Sequence, residues 1–322
     1  AAAEMLRHRG YQVHIYDRYD RIGGLLMYGI PGFKLEKSIV ERRGQLLIDG
    51  GVHFHLGVDI GGEISFADIR AKHDAILVAT GVYKARDIAA PGSGLDGIVP
   101  ALEYLTVSNR KSLGDDVAAF DSGALNAEGK DVVVIGGGDT AMDCVRTAIR
   151  QKAKSVSCLY RRDRANMPGS QREVQNAEEE GVVFKWLSAP QAFLGDDKVR
   201  AVQAQRIHLG QPDATGRQVP EVIDGSAHEL PADMVIKALG FDPENLPKMF
   251  GQDGLDVTRW GTLKIDWRTM MTNLDGVFAA GDIVRGASLV VWGVRDGRDA
   301  AEAIDQWIMA AADAPRAAGA GR

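Results

Sequence analysis

The sequence has few cysteines and no long apolar run, and each absence excludes a class of protein. Its 322 residues include only Cys144 and Cys158, with no Cys-x-x-Cys pair. A disulfide framework, a four-cysteine iron–sulfur site and a redox-active dithiol are therefore excluded within this segment. No apolar run approaches the ~20 residues that span a bilayer, and the N-terminus lacks a signal-peptide pattern. We expect no membrane partner and a reducing, cytoplasmic location.

An excess of positive charge is also missing. The formal net charge of −6 argues against a nucleic-acid partner, because nucleic acid attracts a dominant positive field. The seven histidines are scattered along the sequence without metal-ligand spacing, so we expect no metal site. With 45% hydrophobic and 25% charged residues, the composition is that of an ordinary globular protein with about two domains.

A dinucleotide-binding fingerprint is the strongest pattern that the sequence does contain. A β-branched apolar run at 131–135 leads into G-x-G-x-x-A at 136–141, and a helical pattern follows to residue 149. Gly136 allows a tight turn, Gly138 lets the backbone approach a pyrophosphate, and Ala141 allows the helix to pack closely on the strand. The uncapped N–H groups of this helix would face the phosphates. We include Asp139 and Thr140 in the same predicted site.

A second strand at 155–160 indicates which dinucleotide binds. It ends in Arg161 and Arg162, ~20 residues past the glycines, where an acidic residue would select a ribose 2′-hydroxyl. Arginine instead suits a 2′-phosphate through bidentate, charge-assisted contacts. The pattern therefore favours NADPH over NADH. The alternative is a solvated basic patch without a ligand.

The first residues read as the second half of another dinucleotide-binding unit. A helix at 1–10 and a strand at 11–16 are followed by Asp17. Because the strand and glycine turn that open such a unit are absent, we expect the chain to be a fragment. Residues 310–322, rich in alanine and glycine, are expected to form a frayed tail.

The order of the remaining elements predicts an α/β fold with two nested Rossmann-like units. The outer unit is expected at 1–122 and 243–322, and an inserted unit at 123–242. The predicted elements are a loop at 23–31, a helix at 35–50, strands at 52–58 and 75–81, a linker at 113–129, a helix at 169–181, a strand at 182–186, an antiparallel section at 199–222, strands at 234–240 and 276–282, and a helix from about 292 to 311.

Five long strings give the chain a family resemblance. They lie at 16–37, 79–86, 136–144, 160–164 and 279–292. With these strings the chain resembles the small (β) subunit of bacterial NADPH-dependent glutamate synthase. The resemblance implies that the outer unit binds FAD, that the inserted unit binds NADPH, and that a large subunit is the partner. It also implies 4Fe–4S clusters, held in a cysteine-rich N-terminal domain that this sequence does not contain.

The resemblance also implies roles for individual residues in the FAD site. Asp17 would bind the adenosine ribose and Lys34 would face the FAD phosphates. Asp282 would bind the ribityl chain or hydroxyls on the pyrophosphate side. Small residues would let the cofactor approach, and the final helix would point at the flavin. The residues expected to contact either cofactor are Asp17, Gly23, Gly24, Leu25, Lys34, Val58, Ala79, Thr80, Gly81, Gly136, Gly138, Asp139, Thr140, Ala141, Arg161, Arg162, Gly240, Gly281, Asp282, Ser288, Val291, Trp292 and Gly293.

The expected reaction needs no catalytic side chain, because hydride would pass directly from NADPH to FAD. Electrons would continue through iron–sulfur clusters to the large subunit for glutamate synthesis. Two alternatives stay open. One is a related NADPH:acceptor oxidoreductase with another electron sink, such as pyrimidine reduction or ferredoxin. The other is a non-catalytic fragment that binds nucleotide.

Overall fold

A computed structural model describes residues 1–213 and 218–313. The helices are α1 (Ala2–His8), α2 (Leu25–Tyr28), α3 (Lys37–Asp49), α4 (Phe66–Lys72), α5 (Ala101–Ser112), α6 (Ala118–Asp121), α7 (Asp139–Arg150), α8 (Gln171–Glu179), α9 (Leu246–Met249), α10 (Asp282–Arg285) and α11 (Val290–Asp313). The strands are β1 (Val13–Asp17), β2 (Val52–Leu56), β3 (Ile76–Val78), β4 (Lys84–Ala85), β5 (Ile98–Pro100), β6 (Asp131–Ile135), β7 (Ser155–Leu159), β8 (Val183–Lys185), β9 (Ser188–Gly195), β10 (Val199–Pro212), β11 (Gln218–Val222), β12 (His228–Pro231), β13 (Met234–Lys237), β14 (Phe241–Asp242) and β15 (Val277–Ala279).

The described residues form two compact units. Unit 1 contains residues 1–23, 38–84 and those from 241 on, and unit 2 contains 24–37 and 85–240. The second predicted boundary, at 242/243, lies close to the observed one. The first predicted boundary, at 122/123, is wrong: the observed boundary is at 84/85, because β5 pairs with β13 and α5 packs against α7. These are long-range contacts that local sequence patterns do not reveal.

Unit 2 is built on a five-stranded parallel sheet in the order β5-β13-β6-β7-β8. Four of the five residues of β6 are buried, as its continuous apolar run predicts for a strand covered on both faces. Ile135, Leu159 and Lys185 share one register line, so the carboxyl ends of three strands meet at one edge. Ligands bind at this edge in open parallel sheets.

A second, antiparallel sheet completes unit 2. Strand β10 pairs with β9, β11 and β12. The predicted antiparallel section is confirmed, and β9 and β12 extend it on either side. Phe193 and Val202 of this sheet are buried in one apolar cluster with Val133 and Val235 of the parallel sheet.

Unit 1 contains short parallel strand pairs instead of one sheet. Strand β1 pairs with β2, and β3 pairs with β15, in separate two-stranded sheets. All five residues of β1 are only half-buried, whereas β15 is fully buried. The rings of Phe66 and Phe250 stack 4.5 Å apart in the apolar core.

The other predicted elements are confirmed to within a few residues, with three corrections. The predicted loop at 23–31 contains α2, because Met27 and Tyr28 are buried and this burial stabilises a helical turn between glycines. The predicted linker at 113–129 contains α6. Residues 310–313 of the predicted tail belong to α11 instead, and residues 314–322 lie outside the described part. No helix in the described part is long and apolar enough to cross a membrane.

Candidate functional site

The glycine turn after β6 has two glycines that the protein itself requires. A Cβ atom on Gly136 would lie 2.1 Å from the Ala238 carbonyl oxygen, and the φ of Gly136 is +148°. A Cβ atom on Gly137 would lie 2.3 Å from the Tyr160 ring. At Gly138 the corresponding position has nothing within 4 Å. Protein packing therefore explains the first two glycines, and open space beside the backbone is left at the third.

This open space lies at the start of α7, whose N-cap residue is Gly138. In the described part of the chain no side chain caps this helix. The carboxylate of Asp139 instead accepts a hydrogen bond from the Ser170 N–H, at 3.0 Å. Thr140 is half-buried and Ala141 fully buried, so the helix packs closely on the sheet. Free N–H groups at a helix N-terminus are suited to an anion.

The two arginines after β7 differ in how far the protein already uses them. Arg161 is exposed and makes no hydrogen bond or ion pair with residues 1–213 or 218–313. Arg162 is half-buried, and its Nη2 donates to the Gln218 carbonyl oxygen at 3.3 Å. Its Nε is buried without a partner in the same residues. Arg161 is thus the freer of the two for an external phosphate.

Lys34 lies in unit 2, in an ion pair that the sequence did not reveal. Its Nζ lies 2.7 Å from Asp143 Oδ1 and 3.5 Å from Glu173 Oε2. Burial alone would lower the pKa of Lys34, but the hydrogen bond and charge of Asp143 raise it overall. The expected contact between Lys34 and the FAD phosphates stays a prediction.

A network of charges continues from this pair along α7 and α8. Arg146 bonds Glu173 and Glu180, each at 2.7 Å, and Arg150 bonds Glu180 at 2.6 Å. The guanidinium groups of Arg150 and Arg146 lie 3.8 and 4.8 Å from the centre of the Phe33 ring. Hydrogen bonds from Arg150 and Arg146 lower the pKa of Glu180 to about 2.

Asp17, at the end of β1, has a partly desolvated carboxylate. Its Oδ1 accepts from the Tyr19 N–H at 2.9 Å, and its carbonyl oxygen accepts from the Val58 N–H at 3.0 Å. The structure thus brings together Asp17 and Val58, both predicted site residues. Burial raises the pKa of Asp17. Such a carboxylate is suited to accept hydrogen bonds from hydroxyl groups.

A similar carboxylate follows β15. Burial raises the pKa of Asp282, and a backbone hydrogen bond from Ser288 opposes this shift. The preceding Gly281 has φ +78° and open space around its Cβ position. The Ala280 N–H donates to the Val78 carbonyl oxygen at 3.0 Å, which ties the ends of β15 and β3 together. The predicted site residues Ala79, Thr80 and Gly81 come directly after Val78 in the sequence.

Helix α11 begins at Val290, two residues before the predicted start. Val291 and Trp292 are 62% and 38% exposed, and the Cβ position of Gly293 is open. Sequence reasoning missed an ion pair on this helix. Buried Asp296 binds Arg285 through both carboxylate oxygens, at 2.6 and 2.7 Å. A charged residue on the apolar face of a predicted helix was the available signal.

The other predicted site residues lie where the backbone needs a small or turning residue. Gly23 and Gly24 have φ +121° and +50°, and Leu25 begins α2. Gly240 has φ +90°, and its carbonyl oxygen accepts from the Arg86 N–H at 3.0 Å. These positions satisfy local backbone needs, so contact with a cofactor stays a prediction for each.

Four histidines that are scattered in the sequence gather on one face of the β1–β2 pair. His14 Nδ1 shares a hydrogen bond with His55 Nε2 at 3.0 Å, and its ring stacks on His53 at 4.8 Å. The Tyr16 hydroxyl shares a hydrogen bond with His73 Nε2 at 3.1 Å. Burial and the neighbouring imidazoles lower the pKa of His14. In the described residues no group of three or more ligands could hold a metal ion.

Comparison with known proteins places the chain among dinucleotide-dependent oxidoreductases. Residues 1–314 match the model of the pyridine nucleotide-disulphide oxidoreductases. The glutamate synthase (NADPH) small chain of Azospirillum brasilense is 68% identical over 320 residues, and that of Escherichia coli K12 is 41% identical over 313. The aligned parts cover 99% and 96% of this chain, and 66% of each relative.

Solved structures confirm the predicted fold. FprA from Mycobacterium tuberculosis in complex with NADPH superimposes with a TM-score of 0.80. The match covers 97% of this chain and 82% of FprA at 17% identity, so it supports the fold alone. The expected α/β fold with two dinucleotide-binding units is confirmed.

Proposed function

The chain belongs to the pyridine nucleotide-disulphide oxidoreductase family, and from this we propose that it is an NADPH-oxidising flavoprotein module of the glutamate synthase small-chain type. In this proposal unit 2 binds NADPH, and residues of unit 1 that include Asp17 and Asp282 bind FAD. Bound together, the two cofactors supply hydride transfer. The chain holds and aligns them without a catalytic acid or base of its own.

The observation that carries the proposal is the contrast within the glycine turn. Gly136 and Gly137 are packed against Ala238 and Tyr160, whereas the side-chain position of Gly138 is open. A turn with open space beside an uncapped helix N-terminus fits a pyrophosphate. Arg161 supports the phosphorylated dinucleotide, because its guanidinium is exposed and has no partner in the described residues.

The residues of unit 1 also fit a flavin dinucleotide. Asp17 and Asp282 are half-buried carboxylates whose raised pKa values reflect desolvation. Ribose and ribityl hydroxyls are donors that would satisfy them. The open position at Gly281 and the exposed start of α11 leave both segments accessible to a ligand.

From FAD the electrons would pass to a partner protein. The relatives are named as small chains of glutamate synthase, which supports a large chain as partner. The iron–sulfur clusters that the family resemblance implies would carry the electrons to that partner. A cytoplasmic location fits that partner. A related NADPH oxidoreductase with another electron sink would use the same two units.

A second candidate function is nucleotide binding without flavin chemistry. The separate strand pairs of unit 1 favour it, because they align the candidate FAD residues less firmly than one sheet would. Visible flavin absorbance that stays with the purified chain separates the two functions.

Replacement of Arg161 by alanine tests the NADPH assignment. Loss of a charge-assisted phosphate contact costs about 1.5–3 kcal/mol, or roughly one to two decades of affinity. We expect Arg161→Ala to weaken NADPH by that factor and NADH by less than about twofold, measured by titration calorimetry. Arg161→Ala with Arg162→Ala should be at least as selective.

Arg164→Ala is the matched control, since Arg164 is also exposed near the end of β7 but is bonded to Glu178 at 3.0 Å. It should leave the NADPH-to-NADH preference unchanged. Equal losses for both nucleotides in Arg161→Ala would contradict the assignment.

A further inference from the structure

Residues 24–37, here called the strap, connect two pieces of unit 1 in sequence but fold as part of unit 2. One hydrogen bond joins the strap to α5, and another closes the strap on itself. The Asn109 Nδ2 donates to the Tyr28 carbonyl oxygen at 2.9 Å, and Lys37 Nζ donates to the Leu26 carbonyl oxygen at 2.9 Å. In this conformation Lys34 lies beside Asp143 of α7.

The part of unit 2 that should receive phosphates is rich in carboxylates. Asp139 and Asp143 lie in the first two turns of α7, and Glu173 lies on α8. The charges of all three carboxylates raise the pKa of Lys34. Charges that are partly buried and closer than the Debye length of ~8 Å are weakly screened. Without a counterion these carboxylates would repel an incoming pyrophosphate.

Lys34 supplies the counterion. Its ammonium bridges Asp143 and Glu173 at 2.7 and 3.5 Å, and the side chains of Lys34 and Asp143 are only 24% and 10% exposed. Arg146 offsets part of the remaining charge by binding Glu173 and Glu180. The ammonium of Lys34 is thus committed to two carboxylates of unit 2, which leaves it little capacity to bind a phosphate directly.

We propose that Lys34 is a positioning residue of the NADPH site, which neutralises Asp143 and Glu173 so that α7 can receive the dinucleotide pyrophosphate. The inference rests on the proposed function, in which unit 2 binds NADPH. It assigns to Lys34 a role different from the FAD contact that the family resemblance implies. Because the pyrophosphate is common to NADPH and NADH, Lys34 affects both nucleotides equally.

The test compares Lys34→Met, Lys34→Arg and the double variant Lys34→Met/Asp143→Asn in the 322-residue chain. We expect Lys34→Met to weaken NADPH and NADH binding about tenfold at low salt, and less at high salt. Lys34→Arg should bind within about threefold of the unchanged chain. The double variant should recover most of the loss, because it also removes the Asp143 carboxylate that Lys34→Met leaves without a counterion.

A pH series adds a second test, because a purely structural role of Lys34 would not make the loss of NADPH affinity depend on pH. Burial raises the pKa of Asp143, and Lys34 opposes this shift. In Lys34→Met the loss of NADPH affinity should therefore grow as pH rises and Asp143 ionises. In the double variant the affinity relative to the unchanged chain should not depend on pH. Lys111→Met is the matched control, since Lys111 pairs with Asp121 at 2.6 Å on α5 and α6.

Several results would overturn the inference. A tenfold loss that is independent of salt, or that the double variant does not recover, would mean a structural role. Reduced FAD binding with unchanged NADPH binding would favour the FAD-phosphate contact. If Lys34→Met fails to fold, Asp143→Asn alone decides: NADPH binding as tight as or tighter than in the unchanged chain supports the inference, and weaker binding contradicts it. No NADPH binding by the unchanged chain would contradict the proposed function itself.

Discussion

The two units carry similar cofactor signals on very different frameworks. In unit 2, β6 is buried in the middle of a five-stranded sheet, and the glycine turn continues directly from it. In unit 1, β1 has one partner and is half-buried throughout, and β3 and β15 form a separate pair. The candidate residues Asp17 and Asp282 therefore lie at the ends of two separate sheets.

The comparison shows that the chemistry of a site residue and its alignment with the other site residues have different origins. A carboxylate or a glycine can be recognised wherever it occurs, but its position relative to other site residues depends on the sheet that carries it. The shared register of β6, β7 and β8 fixes the turn and the arginines of unit 2 relative to one another. With such different frameworks, the two units should respond independently to substitution and to acid.

Glycine substitutions should give the largest effects, one unit at a time. A Cβ atom would lie 2.1 Å from a carbonyl oxygen at both Gly136 in unit 2 and Gly61 in unit 1, and both glycines have positive φ. We expect each change to alanine to lower the free energy of unfolding by about 3 kcal/mol or more. Hydrogen exchange with mass spectrometry should place the loss of protection in the substituted unit.

Gly138→Ala is the control for this pair, because its Cβ position is open. It should leave the unfolding free energy within about 0.5 kcal/mol of the unchanged chain and still impair NADPH binding. Equal loss of protection in both units after either substitution would show that they unfold as one cooperative body.

Acid should weaken unit 2 through Glu180. Its pKa of about 2 in the fold lies below the ordinary value of 4.5, so its stabilising effect is present above pH 4.5. The effect is lost as pH falls from 4.5 toward 2. We expect a loss of roughly 1–3 kcal/mol over this range, measured by urea unfolding, and a smaller loss in Glu180→Gln. Glu229→Gln, which removes an exposed carboxylate of unit 2, should leave the pH profile unchanged.

Unit 1 should respond to acid at higher pH and more weakly, through its histidines. The pKa of His14 is lowered from 6.5 by burial and by His53, His73 and His55. The fold therefore favours the neutral ring, and stability should fall as pH drops below 6.5. Hydrogen exchange in β1 and β2 between pH 7.5 and 5 measures this loss, and His14→Gln should reduce it. His208→Gln is the control, because His208 is an exposed histidine of unit 2. A pH profile of His14→Gln identical to that of His208→Gln would contradict the role of His14.

Sequence reasoning succeeded where the pattern was local. The run at 131–135, its glycine turn and the following helix carry their own periodicity, so β6 and α7 were predicted closely. The histidine cluster was not predicted, because the register that pairs Val13 with Val52 brings its members together. The ion pair of Lys34 could not be predicted for the same reason, since its partner Asp143 is 109 residues away.

The segments of unit 1 and unit 2 alternate along the sequence, and this alternation sets the order in which the protein can fold during synthesis. The long segment of unit 2, residues 85–240, leaves the ribosome as one continuous piece. The Tyr11 hydroxyl donates a hydrogen bond to Asp305 Oδ1 at 2.8 Å, and this bond must wait until the 294 residues that separate the two have been made. At ~5–20 residues per second, that wait lasts on the order of 15–60 seconds. Throughout this interval α1 is without α11, which packs against it, so this helix stays accessible to proteases and chaperones until α11 has been made.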